Sequence, residues 1–562
     1  MESKLKQKAS SLYQYLDDIL LHDFHGGIHP SENKHPASEV ELVQSTIAPI
    51  LYLELPVTGA QLQLHCQVGD KVLKGQLLAT DKEDRRPPTH ASTSGNIIAI
   101  DEIPSSHPSG IPVAMISLKT DSKEHWIERH TSELEQILKS PINDLISKIF
   151  DSGITGMGGA GFPTAFKLNS SRQIEPADKH TKTLLLNGSE CEPYISCDDK
   201  LMQTDPTKIL LGAQILGYCV DAEKIQIAVE DNKPEAIASL RKTRDELQLT
   251  IGIIAIPTKY PSGGEKQLIE IITGKQVPKG KLPAHLGITV QNLATTCAVY
   301  DALTEDTPLL ERLVTVTGEN LKNPANYKVL LGTPISFLIQ QAGYNSNTKD
   351  DSQQVIMGGP MMGHNLISID TPVVKTTNCI LIPSSKELPT APDAMACIRC
   401  GLCTEVCPAN LLPQQLYWHS RSQEWEKTEQ LNLMDCIECG ACSYVCPSHI
   451  PLVDYYRFAK TAVTDKNQEK QQIEAARLRY ENRQQRLDYL QQEKSDRRKQ
   501  KKAEAALRKE QREQQDGLTD NLKKQSVIDA VARVKARKLQ KAAELASSLE
   551  QQDSHKTPGN KS

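Results

Sequence analysis

Residues 397–408 read CIRCGLCTEVCP, and residues 436–447 repeat the pattern as CIECGACSYVCP. Each run is C-x2-C-x2-C-x3-C-P. The first holds Cys397, Cys400, Cys403 and Cys407 before Pro408, and the second holds Cys436, Cys439, Cys442 and Cys446 before Pro447. Three thiolates two residues apart can wrap one face of a four-iron cubane, and Gly401 or Gly440 lets the backbone approach it. The fourth Cys is expected to open a helix that carries it to the other cluster. The spacing therefore predicts one 4Fe–4S cluster on Cys397, Cys400, Cys403 and Cys446, and a second on Cys407, Cys436, Cys439 and Cys442. Structural zinc sites also use thiolates, but they do not favour the trailing Cys-Pro. Two such runs 39 residues apart make zinc a poor account.

Working outward, the other six of the 14 cysteines (Cys66, Cys191, Cys197, Cys219, Cys297 and Cys379) are scattered. The chain opens MESKLKQKAS, which has no apolar core of a secretory signal. A reducing compartment with metal-bound thiolates is expected rather than a disulfide framework. No run of about 18 apolar residues occurs, so the chain is expected to dock at a membrane, if it meets one, and not to cross it. At 562 residues, with 38% hydrophobic and 4% aromatic residues, several domains and much polar helix or linker are expected. The net charge of −5 hides an asymmetry. From residue 460 onward Lys and Arg exceed Asp and Glu by nine, which leaves −14 on the rest. A basic tail suits lipid headgroups, nucleic acid or an acidic partner, or is simply a solvated helix. Acidic residues and glutamines interrupt its charge, so nucleic acid ranks last.

Residues 1–39 are read as a short helix over 1–21, with Leu12, Tyr15, Leu16, Ile19 and Leu20 on one face, broken by Gly26, Gly27 and Pro30. Residues 40–125 are strand-rich. QVGDKVLKGQLLA at 67–79 sets a Gly-Asp turn and a Lys-Gly turn between apolar alternations, and HASTSGNIIAI follows. Residues 126–310 alternate strands and helices as α/β units do, with buried strands expected at Thr183–Leu186 and Lys224–Val229. Residues 311–385 return to strands and Gly turns, 386–460 hold the cysteines, and 461–562 read as a long charged helix or partly disordered arm. Its apolar positions are too irregular for a heptad.

GMGGAGFPTAFK at 156–167 sets Gly156, Gly158, Gly159 and Gly161 close together ahead of a helix expected after Pro163. Such a loop can turn backbone N–H groups toward a phosphate. It is neither GxGxxG after a strand nor a P-loop.

Four motifs in order carry a resemblance. GMGGAGFPTAFK, LLLNGSECE at 184–192, YPSGGEKQLIE at 260–270 and QNLAT at 291–295 resemble segments of the flavin-bearing, NADH-oxidising subunit of complex I. That resemblance implies that Gly156, Gly158 and Lys167 meet an FMN phosphate, with Gly159 of the same loop also binding the cofactor. It also implies that Asn187, Glu190, Gly264 and Asn292 line the flavin, and that Phe162 and Glu265 lie near NADH. Met157 stands where the motif has Arg, and Lys266 where it has a second acid. Residues 40–125 resemble the barrel-sandwich hybrid of biotinyl and lipoyl carriers without their Met-Lys hairpin, so Lys74 is read as an ordinary turn lysine with no covalent cofactor. Residues 311–385 resemble a soluble-ligand-binding β-grasp (SLBB) domain.

With GGIHP at 26–30 and GGPMMG at 358–363, the order of segments over about residues 20–460 resembles the RnfC family, the C-type component of the Rnf (Rsx) ion-translocating electron transport complex. The resemblance implies a multidomain α/β and α+β protein: barrel-sandwich hybrid, α/β flavin domain, β-grasp domain, helical two-cluster ferredoxin-like domain and charged tail. It implies a peripheral subunit on the cytoplasmic side of the inner membrane, passing electrons between NADH, FMN and two 4Fe–4S clusters. Partner subunits would pump ions and connect to ferredoxin. A soluble diaphorase subunit and a non-catalytic electron wire with a vestigial flavin fold are the alternatives. Cys191 and Cys197 are read as inert buried thiols, and His449 as a solvated loop histidine.

Overall fold

The computed structural model describes residues 16–57, 59–175, 182–344, 354–389 and 392–550. They fall into two units that divide after Val463.

In the first unit, strands Ile50–Glu54, Pro112–Thr120, Gly95–Pro104 and Lys71–Val72 form one antiparallel sheet. Leu62–Leu64, Leu77–Asp81 and Thr89–His90 form another. Side chains alternate across these strands, so Leu51, Leu53, Leu78, Ile97, Ile116 and Leu118 meet in a buried core, as a two-layer barrel sandwich requires. The Gly69-Asp70 and Lys74-Gly75 turns fall where the alternation breaks, both glycines with positive φ. Lys74 stands at the expected turn, but it is not the ordinary turn lysine expected there. It is buried, 2.5 Å from Glu124, and faces Trp126, because burial demands a counter-charge. Val43–Gln44 leaves this domain to pair with Ala325–Leu330 of the β-grasp sheet.

The α/β domain is a four-stranded parallel sheet in the order Gly252–Ile256, Lys224–Glu230, Thr183–Gly188, Ile288–Asn292. Both expected strands are present, and both sheet faces are packed, which explains their near-continuous apolar sequences. The helix after Pro163 runs from Thr164 to Gln173. A six-stranded mixed sheet with the helix Ile335–Gln341 follows.

Much of the expected N-terminal helix lies outside the described residues. In the described part the helix ends at Asp17, and Leu20 is 78% exposed while Ile19 and Leu21 pack inward, so residues 18–21 do not share a helical face. The helices expected to begin at the fourth cysteines begin later, at Pro413 and Leu452, because Cys407 and Cys446 each lead through Pro into a turn. A single helix covers Leu452–Glu550 and extends through the described part of the second unit. Among its described side chains, the last fully buried one is Val463.

Candidate functional site: a flavin-type cavity beside two thiol clusters

From strand Thr183–Gly188 the chain builds two strands outward on one side, then returns to place Ile288–Asn292 on the other. A parallel sheet that reverses direction in this way opens a crevice at the carboxyl ends of its strands. Asn187 and Asn292 sit at those ends. The glycine loop closes by Gly156 N–H donating to the Phe162 carbonyl at 2.8 Å. It approaches so closely that a Cβ on Gly158 would come within 3.0 Å of the Asn292 side chain.

Gly156, Gly158, Gly159, Phe162, Lys167, Asn187, Glu190, Gly264, Glu265 and Asn292 all line one cavity of about 1280 Å³. Their polar atoms are partly engaged already. Lys167 Nζ lies 2.5 Å from Glu265 Oε1. Asn187 Nδ2 donates to the Gly263 carbonyl at 2.9 Å. Asn292 Oδ1 caps the helix Leu293–Thr304 by accepting from the Ala294 and Thr295 N–H groups, while its Nδ2 donates to Asp198 at 2.7 Å. The buried Glu190 carboxylate accepts from the Asp198 and Asp199 N–H groups and lies 3.5 Å from buried Lys233. Burial, and then Glu190, push the Asp198 carboxyl up to about 6. Phe162 stands 56% exposed at the cavity.

The two departures from the family motif have physical consequences. Met157 is buried in the apolar core, with its N–H on Thr295 Oγ1 at 3.0 Å, so it brings no cation to the cavity. Lys266 is 3.8 Å from Asp435 of the cysteine domain. Cys191 lines the cavity, its thiol pushed up to about 12 by burial and then Glu230, and Cys197 is buried with its thiol likewise raised. Both are held as poor nucleophiles. His449 is exposed.

Sequence reading missed the cavity's other walls, which come from distant domains. Lys375 Nζ donates to the carbonyls of Gly153 at 2.8 Å and Pro88 at 3.1 Å, and burial pushes it down to about 8. Arg312 is buried against the Lys375 carbonyl. His90 is pushed down to about 3 by burial and then by Lys375. No local pattern marks these residues. The GGPMMG loop is legible in the sequence, and it does define a contact: the Met361 and Met362 N–H groups donate to Glu192 Oε1 at 2.8 and 3.0 Å.

The residues present fit a flavin mononucleotide. Thr155 Oγ1, Thr164 Oγ1, Gln267 Oε1 and Gln291 Nε2 are buried at the cavity without a hydrogen-bond partner among the described residues, a costly state unless a polar ligand meets them. Among the described residues, nothing beyond its chain neighbours lies within 4 Å of a Cβ built on Gly159, which leaves room beside the loop.

The cysteine domain fits metal clusters by the chemistry of its donors. Cys407, Cys436, Cys439 and Cys442 line one small cavity. Burial raises the Cys436, Cys439 and Cys442 thiols, Cys439 to about 12, so a cation is needed to hold them as thiolates. Leu411 N–H donates to Cys407 Sγ, and Glu438 N–H to Cys436 Sγ, each at 3.4 Å. Gly401 and Gly440 both take positive φ, and a Cβ on Gly440 would lie 2.6 Å from the Met361 carbonyl oxygen. For the other set, Met395 N–H donates to the Ser448 carbonyl and Ser448 Oγ to the Ala396 carbonyl, which lays the Cys397 run beside Cys446. Cys400 there is exposed.

Fold and donors together define a flavin-domain iron–sulfur protein. Residues 22–123 match the RnfC barrel sandwich hybrid domain, 149–301 the Nuo51 FMN-binding domain, 313–365 the SLBB domain and 396–450 the 4Fe–4S dicluster domain. The chain is 45% identical over 470 residues to the C component of the ion-translocating oxidoreductase complex of Yersinia enterocolitica (serotype O:8 / biotype 1B), covering 83% of this chain and 65% of that one. It is 43% identical over 531 residues to the protein of the same name from Edwardsiella ictaluri (strain 93-146), covering 94% and 63%. The chain belongs to this RnfC family of ion-translocating oxidoreductase complex components, and it spans a little under two thirds of the length of these relatives. A solved NAD+-reducing [NiFe]-hydrogenase in the H2-reduced state shows a partial likeness, with 18% identity, TM-score 0.42, and coverage of 56% of this chain and 61% of that one. No helix among the described residues is long and apolar enough to cross a membrane.

Proposed function

We propose that this chain is the peripheral electron-input subunit of a membrane-bound ion-translocating electron transport complex, on the cytoplasmic side of the inner membrane. It passes electrons between NADH, FMN and two 4Fe–4S clusters toward membrane subunits and ferredoxin. The observation that carries this reading is that one cavity gathers all ten flavin-motif residues, and that Ile437 forms a wall of both that cavity and the cavity of the four thiols.

FMN, when bound, supplies the conversion of a two-electron hydride into single electrons. The chain's residues supply position. Lys167 brings a cation to the glycine loop, with Glu265 holding it in reserve until a phosphate competes. Thr164 and Gln291 offer hydrogen bonds to polar ligand atoms. Phe162 presents an aromatic face for a nicotinamide. Cys397, Cys400, Cys403 and Cys446 would hold one cluster, and Cys407, Cys436, Cys439 and Cys442 the other.

The test is anaerobic purification of the full chain, followed by iron, sulfide and FMN analysis. About eight iron and eight sulfide per chain are expected for two cubanes, with FMN bleached by NADH and spin-resonance signals from both clusters. Zinc without acid-labile sulfide overturns the redox reading. Clusters without FMN or NADH response would leave a wire with a vestigial flavin fold.

A further inference from the structure

The GGIHP segment has no part in the chemistry above, yet it occupies a crowded position. Gly27 N–H donates to the Val406 carbonyl at 3.0 Å, and His25 Nδ1 lies 3.0 Å from the Cys407 carbonyl oxygen. Gly26 has φ +71°, and a Cβ there would lie 2.6 Å from the Val406 carbonyl, so only glycine lets the strap lie against the cysteine loop. One residue further on, Ile28 pairs in both directions with Tyr260 of the flavin domain, at 2.8 and 2.9 Å. The Tyr260 hydroxyl, buried at the edge of the flavin cavity, donates to the Cys439 carbonyl at 2.5 Å. Ile28, Tyr260, Cys439 and Ala441 form one buried apolar cluster with Cys191 and Ile437 against it.

The strap and the tyrosine thus grip two members of the same four-thiol set, Cys407 and Cys439, and among the described residues neither makes a hydrogen bond to Cys397, Cys400, Cys403 or Cys446. We propose that His25–Ile28 and Tyr260 are positioning residues that fasten the Cys407/Cys436/Cys439/Cys442 site to the flavin cavity. This makes it the inner station for electrons, and the Cys397/Cys400/Cys403/Cys446 site the outer station facing a partner. The inference rests on the proposed function and adds an order and a tuning group to it. The balance needs no further reactant: NADH yields NAD+, a proton and two electrons, and each cluster takes one electron without a bond being made. The hydroxyl hydrogen points a positive charge at a ligand's carbonyl, which favours the reduced, more negative cluster.

The experiment uses the full, anaerobically purified chain with both clusters, in a dye-mediated potentiometric titration read by spin resonance. Cys439→Ala and Cys400→Ala assign the two signals. Tyr260→Phe is expected to lower the midpoint of the signal lost in Cys439→Ala by up to about tenfold in equilibrium, ~59 mV for one electron, and to leave the signal lost in Cys400→Ala in place. In rapid-freeze samples after NADH mixing, Cys400→Ala should leave reduction of the inner signal at its wild-type rate. Cys439→Ala should slow reduction of the outer signal by at least about a hundredfold. A silent Tyr260→Phe, a shift confined to the outer signal, or the reverse rate pattern overturns the inference while leaving a loaded, NADH-reducible chain. A wild-type chain that carries no FMN or iron fails the proposed function instead.

Discussion

Lys167 and Glu265 meet across the cavity at 2.5 Å, joining the helix after the glycine loop to the helix that begins at the Gly263-Gly264 turn. Both are about a third exposed in side chain, so the pair itself adds little stability. Its value lies in keeping an ammonium at the loop. Lys167→Ala should weaken FMN binding about tenfold, Lys167→Arg should largely preserve it, and Glu265→Gln should strengthen it a few-fold by removing a competitor. Fluorescence titration of the deflavinated chain reads all three.

Gly159 separates folding from binding. Its φ is ordinary, and among the described residues no atom beyond its chain neighbours lies within 4 Å of a Cβ built there. Gly159→Val should therefore leave thermal unfolding unchanged and yet release FMN, because the added methyl groups enter the space beside the loop. Flavin content after gel filtration, set against the melting curve, checks the two halves of this expectation.

His90 gives the barrel-sandwich wall a dependence on pH. Its folded-state value is depressed to about 3, below an unfolded value near 6.5, by burial and then by Lys375. Between those values the unfolded chain takes up a proton that the folded chain refuses, so stability is full above pH 6.5 and is lost as pH falls toward 3. His90→Gln should flatten the decline between pH 6.5 and 4. Hydrogen exchange of strand Thr89–His90 and its neighbours measures it.

Glu438, between Cys436 and Cys439 and at φ +57°, accepts from Lys460 at 2.7 Å and Arg457 at 3.1 Å, while Lys460 also donates to the Cys436 carbonyl at 2.6 Å. This clamp pins the loop to the first turns of the long helix. Lys460→Met should speed loss of the cluster held by Cys436 on exposure to air by about tenfold, as loss of a group supporting a metal ligand typically does, without altering the other cluster's signal.

Residues after Val463 form a unit of their own, exposed along nearly all of their described length. A chain ending at residue 463 should retain full iron, sulfide and FMN content. A drop in any of them would assign the tail a part in assembly.

Some of this protein was legible from residues alone because the signal was local. Cysteine spacing, Gly-Asp and Lys-Gly turns, the apolar runs at 184–186 and 225–229, and a Pro followed by a helix all act within a few positions of one another, where short-range geometry dominates. Other features depend on chain segments hundreds of residues apart. Lys375, Arg312 and His90 became cavity walls only when three domains packed together, and Lys74 found Glu124 only through burial. The delayed helices after Cys407 and Cys446 show the same limit at short range, since the Pro that follows each cysteine turns the chain before a helix can start. Which thiol set lies against the flavin cavity was likewise invisible in two near-identical motifs. It is decided by Gly26, Ile28 and Tyr260, which fit around Cys407 and Cys439 because close packing, unlike spacing, can tell two copies of one pattern apart.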